Sequence, residues 1–347
     1  MWTIRRTGTA CNDWSKAVTE FPRHDDAWYR ARLALPTGRL RVVIDTDTAN
    51  EIDDQFALAW ALLSPQQLDL QGVYAAPFSF AHRRAALPDA PADAPPFNPP
   101  AVGMERSYDE ILNVFAKLGV GSAGRVFRGS AGYLPRPGEP LRSEAVDHLI
   151  ACARQGDGAE PLYVLALGCV TNIASALLLA PDLVDRIVVV WTSGYPSHAP
   201  HVNDSFNLEQ DLAASQLLLE SGVPHVYLPG FHVGAQLRLS LAEMERHVKG
   251  RGAIGDYLHR LFTDNPLWTV LGRPGHAAHS WVMWDVINVA WLLQPDWVPS
   301  TLVRTPSLTA DRRWRAAHGS HLMREAHAVA RDAIFGDFFT KLDALRS

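Results

Sequence analysis

The run LRVVIDTDTANEIDDQFALAWALLS, residues 40–64, decides the class of fold. Leu40, Val42, Val43 and Ile44 form a short, mostly β-branched apolar run, the pattern of a strand buried on both faces. Asp45 and Asp47 stand at its end. Phe56 to Leu63 then read as an apolar helix that stops at Ser64-Pro65, because the residue before proline is pushed out of helical geometry. Between strand and helix lies a turn holding Asp45, Asp47, Glu51, Asp53 and Asp54, five carboxylates within ten residues. In open α/β sheets that turn is where ligands bind. Two like charges about 4 Å apart repel by about 4 kcal/mol at an effective dielectric near 20. A packed cluster therefore protonates, spreads into water or holds a cation, and oxygen-only donors favour a hard ion, Ca²⁺ or Mg²⁺. Helix capping is the plainer reading; the macrodipole accounts for Asp53 and Asp54 but leaves Asp45 and Asp47 unexplained.

Composition bounds the rest. The 347 residues are 47% hydrophobic and 20% charged, with a formal net charge of −5. This is the balance of an ordinary globular protein, without the basic field of a nucleic-acid binder or a polybasic membrane patch. No apolar run approaches the length of a membrane span, and MWTIRRTGTACNDWSK lacks the apolar centre of a secretory signal. Cys11, Cys152 and Cys169 show no metal-ligand spacing and read as free thiols, which fits a reducing cytoplasm.

Taken in order, residues 1–38 read as an N-terminal extension that packs Trp2, Trp14, Trp28 or Tyr29 on the main body. Residues 39–347 read as one large α/β domain. Leu68–Ala76, Leu162–Leu167, Ile187–Trp191 and His225–Leu228 are strands. Helices are expected over Tyr108–Leu118, Ser143–Ala153, Thr171–Leu179, Gln210–Ser221, Ser240–Phe262, Trp281–Leu293 and Ile334–Leu345. Alternating strands and helices imply a mainly parallel, Rossmann-like sheet covered on both faces. The segment Pro77–Pro100 leaves the end of a strand and is either a lid over the site or a surface insertion.

Four stretches together resemble the inosine-uridine-preferring nucleoside hydrolase family. They are VVIDTDTANEIDDQFAL (42–58), LYVLALGCVTNIASAL (162–177), DSFNLEQDLAASQLLL (204–219) and WDVINVAWLLQPD (284–296), and they occur in family order. The likeness implies the nucleoside hydrolase fold and Ca²⁺-dependent hydrolysis of the N-glycosidic bond of ribonucleosides or related N-ribosides. Its products are ribose and a free base, and it implies a role in nucleoside salvage for a homodimer or homotetramer. On this likeness Asp47 is the general base and, with Asp53, Asp285 and the Leu167 carbonyl, a Ca²⁺ ligand. Asp45 supports the ligands from behind, and Asp54 and Asn207 hold the sugar. Asn203 also faces the sugar or caps its loop, and Asn207 has the same alternative. Trp284 stacks on a base or packs in the core.

The departures from the family pattern concern the substrate. Five residues separate Asp47 from Asp53, a longer gap than the family's. Ser205 stands in place of a glutamate, Ser79 in place of an asparagine, and Trp284 in place of a histidine that helps protonate the departing base. His82, His198, His201, His232, His276 and His279 are each a surface residue or a replacement acid. Two rival readings remain. One is a non-catalytic nucleoside- or ribose-binding member of the family. The other is a haloacid-dehalogenase-like phosphatase with Asp45 as nucleophile and Asp47 as acid/base.

Overall fold

The computed structural model describes residues 20–346 apart from 92, 157, 159 and 272–278. Helix α1 (Asp26–Arg32) precedes strand β1 (Leu40–Thr46), and the acidic turn leads into α2 (Asp53–Leu62). The next elements are β2 (Leu68–Ala75), α3 (Pro100–Leu118), β3 (Val126–Arg128), α4 (Glu144–Ala153), β4 (Leu162–Ala166) and α5 (Thr171–Leu179). They are followed by β5 (Ile187–Ser193), α6 (Phe206–Glu209), α7 (Leu212–Glu220) and β6 (His225–Pro229). The last part comprises β7 (Arg238–Ser240), α8 (Leu241–Glu243), α9 (Gly252–Thr263), α10 (Leu267–Val270), β8 (Ser280–Val282) and α11 (Val286–Leu293). The chain then runs through β9 (Ser300–Arg304), β10 (Ser307–Leu308), β11 (Trp314–Arg315), β12 (Leu322–Ala326) and α12 (Arg331–Asp343).

Eight strands form the central sheet in the order β3-β2-β1-β4-β5-β6-β12-β9. All neighbours are parallel except β12 and β9. Side chains of a strand alternate between faces. Val42 and Ile44 therefore enter one apolar core, with Phe56 and Trp60 of α2 and Ile287 of α11. Val43 enters the other, with Leu149 of α4 and Ile173 of α5. The strand order runs outward in opposite directions from β1 and β4, so a crevice opens above their carboxyl ends. The acidic turn after β1 and the Leu167-Gly168 turn after β4 both lie there.

Three sequence readings change. Trp281–Leu293 is not one helix. Trp281 and Val282 lie on β8, antiparallel to β7, and the helix begins only at Val286. A continuous apolar run such as WVMW does not distinguish strand from helix. Ser240–Phe262 is also broken, with a π-turn at Met244–Val248, a left-handed Gly250 after it and a left-handed Gly252 opening α9. Helix α3 begins at Pro100 rather than Tyr108, with proline in the first turn, where its missing N–H costs nothing. Gly103 lets that helix pass Phe78, since a Cβ there would lie 2.1 Å from the Phe78 carbonyl oxygen. Of the expected N-terminal aromatic anchors, Trp2 and Trp14 lie outside the described residues. Tyr29 is buried and donates to the Gly222 carbonyl at 2.6 Å, and Trp28 stacks on His24. Among the described residues no helix is long and apolar enough to cross a membrane. Cys152 and Cys169 are buried free thiols.

An acid-sensitive spot lies within the sheet. His225, on β6, is fully buried between Trp191 and Tyr227, and neither ring nitrogen has a hydrogen-bond partner. Burial, and then repulsion from His321, lower it to about 3. Burial, and then Arg23, lower His321 to about 4. Both rings are neutral in the folded chain and gain protons on unfolding below about pH 6.5. Their stability contribution is therefore complete above that pH and is lost as pH falls towards the folded values. His225→Leu should flatten this loss, seen as a smaller drop in urea midpoint between about pH 7 and about pH 4.5 than in the unmodified protein. An equal drop would place the acid sensitivity elsewhere.

Candidate active site

Asp45 sits near the end of β1, fully buried. Its Oδ1 accepts from Asn172 Nδ2 at 2.8 Å, and its Oδ2 has no partner. Burial lifts this carboxyl to about 7, with Asn172 opposing. Asn172, in the first turn of α5, also accepts from the Ser130 amide at 2.8 Å and thereby ties the loop after β3 to the β1 end. Asp45 does not line the cleft, so it is not placed as the nucleophile of a phosphatase.

Asp47, one residue beyond β1, does line the cleft. Asn50 holds it twice, by its backbone N–H to the Asp47 carbonyl at 2.7 Å and by Nδ2 to Asp47 Oδ2 at 3.2 Å. Gly168, just after β4, packs flat against this carboxylate. A Cβ at that position would lie 3.0 Å from Asp47 Cγ, so the carboxylate would have to shift by a few tenths of an ångström.

Asp53 and Asp54 open α2, and Asp285 immediately precedes α11. One oxygen from each lies within 4.8 Å of the others, and all three residues are buried. The Asp285 N–H donates to Asp53 Oδ2 at 3.2 Å, and Thr46 Oγ1 donates to Asp54 Oδ1. Asn288, one turn into α11, donates to the carbonyls of Ala166 at 3.1 Å and Val190 at 2.9 Å. That side chain fastens the start of α11 to β4 and β5, and with it Asp285 over the crevice. Burial raises all four carboxyls of the floor. For Asp285 the next causes are the charges of Asp53, Asp54, Asp47 and Glu51. For Asp47 they are Asp54, Asp53 and Glu51, and for Asp53 they are Glu51 and Asp54. Asp54 rises only to about 6, because hydrogen bonds from Thr46 and Asp285 oppose its burial. Buried, mutually repelling oxygens with few donors to satisfy them have the chemistry of a hard-cation site. The tightest group is thus Asp53, Asp54 and Asp285. Asp54, expected to hold the sugar, stands among the candidate ligands, and Asp47 stands beside them.

These groups floor a cleft of about 240 Å³. The Leu167 carbonyl, an expected ligand, accepts from Asn207 Nδ2 at 2.6 Å, and Asn207 also donates to the Thr192 carbonyl at 3.2 Å. Both residues line the cleft. Trp284 lines it too, edge-to-face with Phe231, ring centroids 6.0 Å apart. Asn203 does not line it. Its Oδ1 accepts from the Tyr195 amide at 2.8 Å and its Nδ2 donates to the Arg312 carbonyl at 3.0 Å, so this side chain serves its loop. No histidine lines the cleft among the described residues. His82 is turned to Glu209, and His276 lies outside the described residues.

Glu51 and Arg83 are among the lining residues that carried no role in the sequence reading. Glu51 belongs to the lengthened turn, and burial, with repulsion from Asp54, lifts it to about 7. Its place among the five clustered carboxylates was the available signal. Arg83 comes from the Pro77–Pro100 segment, in the short 3₁₀ turn Ala81–Ala86. That segment therefore reaches the site, but no motif marked which residue would do so.

Comparison with known proteins gives a consistent relationship. The family model described as inosine-uridine preferring nucleoside hydrolase matches residues 42–329. The non-specific ribonucleoside hydrolase RihC of Salmonella enteritidis PT4 is 26% identical over 272 residues, 75% of this chain and 80% of its own. The purine-preferring ribonucleoside hydrolase from Gardnerella vaginalis shares the fold, with a TM-score of 0.65 at 20% identity over 88% of this chain and 98% of its own. The plant nucleoside hydrolase PpNRh1 also scores 0.65, at 16% identity over 89% of this chain and all of its own.

Proposed function

The chain belongs to the inosine-uridine preferring nucleoside hydrolase family, and from that premise we propose that it hydrolyses the N-glycosidic bond of ribonucleosides or related N-ribosides with Ca²⁺ as its metal. The observation that carries this reading is the buried group of Asp53, Asp54 and Asp285 beside Asp47, at the crevice where β1 and β4 end. Asp53, Asp54 and Asp285 would hold the ion, with Asp47 and the Leu167 carbonyl beside it. Several flexible oxygen ligands suit Ca²⁺ better than Mg²⁺, which demands near-ideal octahedral geometry. When bound, the ion supplies an anchor for sugar hydroxyls and acidifies a water.

The chain's own residues do the rest. Asp47 takes a proton from the attacking water as its oxygen bonds to the anomeric carbon. The carbon–nitrogen bond breaks, and its electron pair leaves with the base. The transition state carries positive charge on the sugar, which the clustered carboxylates stabilise. Asn207 orients the sugar. Its Nδ2 is fixed on backbone carbonyls, and among the described residues nothing donates to its Oδ1, which is left to accept from a sugar hydroxyl. Phe231 and Trp284 face the base.

Ribose released from a panel of purine and pyrimidine nucleosides, measured as reducing sugar with and without Ca²⁺, tests the reading. Release that requires the ion is expected. Ion-dependent nucleoside binding with no release would establish the non-catalytic alternative instead.

A further inference from the structure

We propose that the cleft takes a sugar carrying a phosphate ester at the end remote from the glycosidic bond, and that Arg83 binds that phosphate. The inference rests on the hydrolase reading and narrows its substrate class. The cleft has two unlike walls. Phe231 follows β6 and Trp284 precedes α11, and together they form an apolar aromatic wall suited to a heterocycle. Arg83 follows β2, and β2 and β6 lie on opposite sides of the central β1–β4 pair. A ribosyl compound anchored between them by its hydroxyls, with its base on the aromatic wall, turns its other end towards Arg83.

Arg83 is held as a binding group is held. Its Nε donates to Glu209 and its Nη2 to the Asp204 carbonyl. Its guanidinium lies over Phe206, 5.1 Å from the ring centroid, and Phe206 is itself stacked on Phe80 at 4.3 Å. Nη1 has no hydrogen-bond partner among the described residues. Glu209 does not line the cleft, and it is shared with His82 and Arg312, so one carboxylate faces two guanidiniums and an imidazole. Glu209 is thus divided among three partners, and Arg83 is the one basic side chain among the described residues that line the cleft, on a rim that also holds Asp204. Ser205, next to the Asp204 whose carbonyl Arg83 holds, and Ser193, at the end of β5, also line the cleft with their hydroxyl oxygens 3.3 Å apart. A fixed guanidinium with two nearby hydroxyls is a donor set for phosphate. A neutral sugar hydroxyl needs no fixed cation. The Arg83 charge also opposes the rise of Glu51, but its hydrogen bonds go to Glu209 and the Asp204 carbonyl rather than to the carboxylates of the floor.

Titration calorimetry of the full chain supplied with Ca²⁺, using ribose and ribose 5-phosphate as ligands, tests the proposal. Ribose 5-phosphate should bind about tenfold or more tightly than ribose, a difference worth about 1.4 kcal/mol. Arg83→Gln should bring the ratio close to one, and Arg83→Lys, which keeps the charge but loses the planar fork, should restore part of it. Equal affinities in the unmodified protein, or an Arg83→Gln that weakens both ligands alike, would overturn the proposal and leave the hydrolase reading standing. Failure of both ligands to bind would remove the hydrolase reading and this inference with it.

Discussion

Asp47→Asn should lower kcat for ribose release by about 10²–10⁴-fold, the usual contribution of a positioned general base. The amide matches the carboxylate in shape but cannot accept the proton. Binding should change less than turnover, because Asn207, Phe231 and Trp284 are untouched. The same variant carries a second expectation. In the chain without metal, Asp47 is one of several buried carboxylates that raise one another by repulsion. Removing one should leave the melting temperature in chelator unchanged or higher. Near-normal turnover would show that Asp47 is not the base. A lost transition would show that the residue acts mainly in folding.

Much of the fold was legible because burial in a parallel sheet leaves a direct trace. A strand covered on both faces must be apolar throughout, and Val42–Ile44, Leu162–Leu165 and Ile187–Val190 are. The position of the site followed from the same stretch, since carboxylates at the end of a first strand fall at the switch point of the sheet. What the sequence did not disclose depends on tertiary register. Asp285 looked like an acid within a helix, because the rest of WVMWDVINVAWLL is almost wholly apolar and lacks a period that would separate β8 from α11. Asn172 bonds to the Asp45 carboxylate and the Ala75 carbonyl, and Asn288 to the Ala166 and Val190 carbonyls, all far along the chain, which no local pattern encodes. For Asn203 the sequence left a sugar contact and loop capping open, and its bonds go to the Tyr195 and Arg312 backbone. Arg83 lay in a segment whose proline and alanine content says only that it is irregular.

Asp285→Asn should abolish the Ca²⁺ response of the protein, and with it ribose release. In the unmodified chain an ion that binds the folded state alone, at about 100 times its dissociation constant, stabilises by about 2.7 kcal/mol. That stabilisation should appear as a rise in melting temperature on adding Ca²⁺ and be reversed by chelator. Asp285 is the informative member of the group because it comes from another element. Asp53 and Asp54 share the first turn of α2, whereas Asp285 brings the start of α11 across to them. Its backbone N–H, not its side chain, makes the hydrogen bond to Asp53. An asparagine there keeps that link and the helix position while removing one negative charge and a strong oxygen donor. Without metal, the variant should be at least as stable as the unmodified chain, since repulsion from Asp53, Asp54, Asp47 and Glu51 is relieved. With Ca²⁺ the order should reverse. A variant that still gains the full Ca²⁺ shift would place the ion away from this triad, and the hydrolytic role of the cleft would need another source of activation.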